Sequence, residues 1–309
     1  MGERMCPLCR SPRVATLFAK QGTDYWACRD CRFRFATPDV NPNFANAIDD
    51  YEEAYLQYLA PDPADRPNFD ALYRWMAGTT PLVGKRLLDV GAGSGKLVRY
   101  LRERGVDAHG IEPSRALFDR FLEGDPAFTC ATADEVRGSF GSFAVITAFD
   151  VIEHVADPDA FLRGIVPALD SDGVAFLSTP DVGSVMATLF GRRWHFYYPY
   201  HLSYFTPGTL ATAARRHGLR LIDCGHRGRR RSIGYIMRYA AEFILGATPP
   251  AWARRLDGRF LQVNLFDTMY VAFRRDGCFE MTPNSGTESA GSRGTMARKS
   301  DIIDPPHPP

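Results

Sequence analysis

Apolar residues fall along this chain in two alternating rhythms. Short, nearly unbroken apolar runs read as strands buried on both faces: residues 86–90 (RLLDV), 107–111 (DAHGI), 128–131 (FTCA), 143–149 (FAVITAF), 173–178 (GVAFLS) and 219–225 (LRLIDCG). A last run, NLFDTMYVAFRR at 264–275, reads as a final strand. Between these runs apolar positions recur at helical spacing over 69–78, from Leu97 through Leu101, and over 114–122, 157–169 and 209–217. Strands alternating with helices predict an α/β fold, a doubly wound, mostly parallel sheet covered on both faces. Ligands of such sheets sit beyond the carboxyl ends of the strands, where the strand order reverses.

The first core strand runs into LLDVGAGSGKL, residues 87–97. A Walker A phosphate loop would need glycine at Val90 and Ser or Thr at Leu97, and has neither. A dinucleotide fingerprint would need its third glycine where Lys96 stands. What remains is an acid, Asp89, followed by Gly91, Gly93 and Gly95 and then a helix. About twenty residues on, where a nucleotide-binding sheet presents an acid for ribose hydroxyls, DAHGIEPS supplies Glu112 before a helix. The pair DVGAGSG and GIEPS resembles the class I S-adenosylmethionine (SAM) methyltransferases. That resemblance implies a seven-stranded Rossmann-like sheet with its last strand antiparallel, and SAM as cofactor. It makes Asp89, Gly91, Gly93, Gly95 and Glu112 cofactor-binding, with Phe149 at the methionine moiety and Asp134 at the adenine amino group.

Seven cysteines are an odd number, and four of them stand as Cys6-x-x-Cys9 and Cys28-x-x-Cys31. Two such knuckles, with eighteen residues between them, match a zinc ribbon, in which four thiolates close a structural tetrahedron. The chain therefore divides into a ribbon (1–38), a proline-bracketed helical linker or cap (39–80), a SAM-binding domain (81–280), and a polar, proline-ended stretch (281–309) expected to be a disordered tail. Substrate-cover insertions are expected near 181–208 and 228–262. With 45% hydrophobic residues and a formal charge of +1, the composition is that of an ordinary globular protein and exerts no overall pull on nucleic acid. There is no apolar leader and no run long enough to span a membrane, so the expected compartment is the cytoplasm.

The stretch FAVITAFDVIEHVADP carries Asp150, Glu153 and His154 at a strand end. It resembles the D/E-x-x-E-H-V run of ubiquinone-pathway O-methyltransferases and the methyltransf_23 group. Downstream, HLSYF resembles that group's HxxxF element, and the resemblance implies that His201 points back toward the site. The resemblance implies His154, His201 and Asp150 as catalytic residues. Some relatives bind a divalent cation through an ExxEH element, and the matching positions here are Asp150, Glu153, His154 and His201, a set suited to Mg or Mn; Asp150 is one carbon shorter than the glutamate of those relatives. The paired histidines favour a hydroxyl acceptor, because a hydroxyl needs a base. The expected acceptor is a small molecule, a glycan or a lipid-linked compound. DNA is not expected. The arginines between Arg215 and Arg238 leave open a basic helix touching a membrane surface, RNA methylation as the lesser alternative, or an ordinary charged helix over the cleft. A silent SAM-fold binding module is the alternative from outside enzymology.

Overall fold

The computed structural model describes residues 4–38, 59–136, 140–241 and 247–276. The expected tail, most of the linker up to residue 58, and residues 242–246 of the expected insertion near 228–262 lie outside the described residues. The first three strands, β1 (Val14–Lys20), β2 (Thr23–Cys28) and β3 (Arg34–Pro38), form an antiparallel ribbon. Helix α1 (Asp65–Thr79) leads to β4 (Arg86–Val90), and alternation then runs through α2 (Lys96–Arg102), β5 (Asp107–Ile111), α3 (Arg115–Phe121), β6 (Phe128–Thr129), β7 (Phe143–Phe149), α4 (Pro158–Ile165) and β8 (Leu169–Pro180). The remainder is α5 (Val185–Phe190), β9 (Ser203–Tyr204), α6 (Pro207–Arg215), β10 (Leu219–His226), β11 (Arg229–Ser232), α7 (Ile233–Tyr239), β12 (Phe260–Val263) and β13 (Thr268–Arg275).

The main sheet has seven strands in the order β10-β13-β8-β7-β4-β5-β6, and only β13 runs against the other six; β10, antiparallel to β13, points the same way as β8. This is the expected doubly wound sheet. Its strands read as continuous apolar runs because both faces are covered. Leu88, Val90, Ile146, Leu177 and Phe273 enter one core, while their neighbours Leu87, Val145, Phe176 and Ala272 enter the other. The helix expected over 157–169 stops at Ile165, and Leu169 already opens β8. Pro167 lies in the short 3-10 turn between them, and proline has no N–H with which to continue the helical hydrogen-bond ladder.

The ribbon does not stand alone. Its third strand pairs with β9, making a four-stranded sheet of order β1-β2-β3-β9. Cys6, Leu8, Phe33 and Phe35 belong to the same core as Leu88 and Ile146. No helix among the described residues is long and apolar enough to cross a membrane.

Candidate functional site

The glycine turn caps β4 at the carboxyl edge. Gly95, at φ 76°, is the N-cap of α2, and a Cβ there would sit 2.6 Å from Phe128 Cζ and 2.8 Å from Leu122 Cδ2. Only glycine meets both demands. The amides of Gly91 and Ala92 donate to the Ile111 carbonyl at 2.9 Å, which ties the turn to the end of β5. There Glu112, buried, accepts from the Gly93 amide at 2.9 Å through one carboxylate oxygen and from the Ser114 amide at 2.9 Å through the other. Burial raises its pKa and the two amides oppose the rise. The carboxylate is thus held rigidly against the turn, and its remaining lone pairs fit ribose hydroxyls.

Asp89 and Asp134 stand differently. The Asp89 carboxyl is buried and accepts from Thr147 Oγ1 at 2.6 Å, so it braces β4 against β7; burial pushes its pKa up to about 7. Asp134 is exposed, on a 3-10 turn beside Gly164 of α4. Phe149 is half-buried, with its ring 6.3 Å from those of both Trp75 and Tyr270.

Beyond β7 the chain turns sharply at Asp150, a non-glycine residue at φ 57°. The Asp150 amide donates to Ser178 Oγ at 3.0 Å, and that hydroxyl donates back to Asp150 Oδ1 at 2.7 Å. Arg229, from β11, donates from Nη2 to both carboxylate oxygens at 3.0 and 2.7 Å, and from Nε to Tyr270 Oη at 2.5 Å. Burial raises the Asp150 pKa, but the guanidinium and the Ser178 hydroxyl outweigh it and hold the group below the usual carboxylate range.

Glu153, His154 and His201 come together without Asp150. One ligand-type atom from each lies within 4.8 Å of the others. The two imidazoles meet edge to face with centroids 4.7 Å apart. His154 Nδ1 is 2.9 Å from the Tyr200 carbonyl and His201 Nδ1 is 3.1 Å from the Phe196 carbonyl. A carbonyl can only accept, so each ring carries its proton on Nδ1 and Nε2 is the basic nitrogen. Burial lowers the His154 pKa to about 4; burial and the neighbouring His154 drive His201 well below its usual value. Both rings are neutral at pH 7. Burial, reinforced by the charge of Asp150, raises the Glu153 pKa well above the carboxylate range, and its Oε2 has no hydrogen-bond partner among the described residues. The four-residue cation set expected from the sequence is therefore a three-residue cluster, with the shorter Asp150 turned to Arg229.

Several residues at this edge were invisible in the sequence. Arg229 sat inside a basic run at 227–231 with no mark of its own; the strand alternation of β11 turns Arg229 and Arg231 one way and Arg230, exposed, the other. His195 lies 3.5 Å from the buried Asp267 carboxylate, which also faces Trp194 Nε1 at 3.4 Å. Burial brings His195 down to about 4.

In the ribbon, Cys6 and Cys31 Sγ are 3.6 Å apart, as are Cys9 and Cys28, and all four lie within 4.8 Å of one another. A tetrahedron with zinc–sulfur bonds of about 2.3 Å sets its sulfurs about 3.8 Å apart. The donor set fits.

Residues 54–223, more than half of the chain, match the family model Methyltransf_23, a methyltransferase domain. A ubiquinone biosynthesis O-methyltransferase of Ralstonia nicotianae is 34% identical over 112 residues, 34% of this chain and 47% of the relative. The C-methyltransferase NovU of Streptomyces niveus is 28% identical over 145 residues, 45% of this chain and 34% of the relative. The chain thus spans less than half the length of these two relatives. Among solved structures, the magnesium protoporphyrin IX methyltransferase of Synechocystis PCC 6803 with bound SAH aligns at a TM-score of 0.48 and 12% identity, over 75% of this chain and 98% of that one.

Proposed function

The chain belongs to the Methyltransf_23 family of methyltransferases, and from that premise we propose that it is a class I SAM-dependent enzyme that methylates a hydroxyl of a small-molecule, glycan or lipid-linked acceptor. SAM, when bound, supplies an electrophilic methyl group on a sulfonium. The chain's own contribution is to hold and align. Glu112 and the glycine turn suit the ribose and the adjoining backbone approach, and Phe149 suits the methionine end. Most of the rate in such a transfer comes from fixing the acceptor in line with the carbon–sulfur bond.

The observation that carries the hydroxyl reading is the neutral pair His154 and His201, each with its proton tied to a carbonyl through Nδ1 and its basic Nε2 at the site. One of them takes the acceptor proton as the oxygen attacks. Asp150 acts as the anchor of Arg229. The test is transfer of labelled methyl from SAM into a fractionated bacterial extract. We expect label among small molecules or extractable lipids, and its loss in the double variant His154→Ala, His201→Ala. Ribonuclease-sensitive label would move the acceptor to RNA, and undiminished turnover by the double variant would remove the base.

A second reading rests on Glu153. A buried carboxylate oxygen without a hydrogen-bond partner among the described residues, next to two imidazoles, fits a divalent cation such as Mg or Mn. Such an ion would lower the pKa of the acceptor hydroxyl. Activity that persists in excess chelator, with the ribbon metal retained, rules it out. We assign Cys6, Cys9, Cys28 and Cys31 to one structural zinc, checked by elemental analysis of the purified chain.

A further inference from the structure

The ribbon's hydrogen bonds reach a particular part of the methyltransferase domain. The Cys28 amide donates to the Phe33 carbonyl at 2.8 Å, so β3 starts from the knuckle that carries Cys28 and Cys31. One edge of β3 pairs with β2. Its other edge pairs with β9, Arg34 opposite Tyr204 and Phe35 opposite Ser203, and the Ala36 amide donates to the Leu202 carbonyl at 2.9 Å. The Leu202 amide donates in turn to the Glu153 carbonyl at 2.7 Å. Leu202 is therefore clamped on both sides, its carbonyl to the ribbon and its amide to the cluster residue Glu153. His201 is the next residue back along the chain.

Side chains repeat the pattern. Arg34 Nη1 donates to Tyr197 Oη at 2.9 Å, and Lys20 Nζ donates to the Tyr197 carbonyl at 2.7 Å. Phe18 and Tyr25 of the ribbon pack their rings against Tyr197 at 4.9 and 5.1 Å, and Tyr25 lies 5.8 Å from Tyr204. The cofactor half is tied otherwise. The Gly91 and Ala92 amides bond to Ile111, Gly93 to Glu112, and the Glu112 amide to Thr129, all within the domain's own strands and turn.

We propose that the metal-tied ribbon is a positioning element for the acceptor half of the site: it fixes β9 and the aromatic segment 194–205, and through them aims His201 and Glu153, while the SAM half shares apolar core with the ribbon but makes its own backbone hydrogen bonds without it. The inference rests on the acceptor-side role given to His201 above. Its readout does not, because positioning is measured by backbone exchange and the role of His201 by turnover.

The experiment uses the full chain in three forms: wild type, Cys9→Ser, and Arg34→Leu, which leaves all four cysteines in place. Hydrogen exchange is followed in peptides covering 86–112 and 194–205, together with metal content and SAH affinity by calorimetry. For Cys9→Ser we expect loss of the bound metal, exchange at 194–205 faster by at least about tenfold, and exchange at 86–112 and SAH affinity within about twofold of wild type. For Arg34→Leu we expect the metal retained, SAH affinity unchanged and kcat/KM for the acceptor lowered about three- to tenfold, with partial recovery in Arg34→Lys. Unchanged exchange at 194–205 after metal loss overturns the proposal. So does acceleration across both segments with loss of SAH binding, since the ribbon would then hold up the whole fold. If the exchange pattern appears but His201→Ala keeps full turnover, the positioning stands and the catalytic role of His201 falls.

Discussion

Replacing Glu112 by glutamine changes one oxygen to an amino group at a buried position where both oxygens are already accepting. The two backbone donors, Gly93 N and Ser114 N, each lie 2.9 Å from a different carboxylate oxygen. A glutamine amide can accept from one of them only; whichever way it is flipped, its amino group faces the other N–H. One buried amide is left unpaired, costing about 1–3 kcal/mol, and the bond still made loses its charge assistance. Relief of burying a carboxylate, the cause of the raised Glu112 pKa, offsets part of this. A net loss of about 1–3 kcal/mol in folding stability follows. The effect on ligand adds to it. A ribose hydroxyl bonded to a carboxylate is worth about 1.5–3 kcal/mol, so losing one such bond weakens SAH binding by about ten- to a hundredfold. Calorimetric titration with SAH, done where urea curves show the variant folded, reads the second effect apart from the first. Ser114→Ala is the control: it removes the N-cap acceptor for the Leu117 amide, costs about 1 kcal/mol of stability, and leaves SAH affinity alone. An SAH affinity in Glu112→Gln within about twofold of wild type would refute the ribose assignment.

Three further outcomes follow from the same geometry. Arg229→Gln leaves the Asp150 carboxylate with the Ser178 hydroxyl and no cation, with side chains only 24% and 31% exposed, and should cost about 1–3 kcal/mol in urea unfolding, with Arg229→Lys recovering only part because one ammonium cannot hold Asp150 and the Tyr270 hydroxyl at once; a neutral Arg229→Gln would mean the pair is solvated. Gly95→Ala puts a Cβ against Phe128 and Leu122 at a left-handed backbone and should cost about 2–4 kcal/mol by the same assay, while Gly124→Ala, with nothing within 4 Å of its Cβ, shows the cost of the φ of 81° by itself. On pH, His154 and His195 have folded pKa values lowered to about 4 from 6.5, so their contribution to stability is complete above pH 6.5 and is lost as pH falls toward 4; Asp89, raised from 3.8 to about 7, contributes fully below 3.8 and loses its contribution as pH rises to 7. Asp89→Asn should therefore steepen the rise of stability between pH 4 and 7, and His195→Gln should flatten it, as read from urea midpoints; slopes that do not move in opposite directions contradict the burial of these groups.

Much of the architecture was legible in local sequence. Apolar runs mark β4, β7 and β8 because a strand covered on both faces must be apolar at every position, and their alternate residues do enter opposite cores. The glycines at 91, 93 and 95, and Glu112 after β5, are legible because tight turns and strand-end acids are set by backbone sterics within a few residues. Helix ends are less so: the expected helix over 157–169 ran past Ile165 because its apolar spacing continues into β8. The 128–131 strand shrinks to Phe128–Thr129 at the sheet edge, where only β5 is there to pair with it.

By itself, then, the sequence determined the layer order of the fold, the turn and acid of the cofactor edge, and the four cysteines, since each is written in residues close together in the chain. Only the tertiary structure decided which acid meets which base. Asp150 and Arg229 are 79 positions apart, and the shorter Asp150 pairs with a guanidinium instead of joining Glu153, His154 and His201. Likewise the ribbon's last partner is β9, more than 160 residues on from β3. A buried charge is stable only with a partner, and an open strand edge only when paired, but neither demand names the partner in sequence; packing of distant segments supplies it.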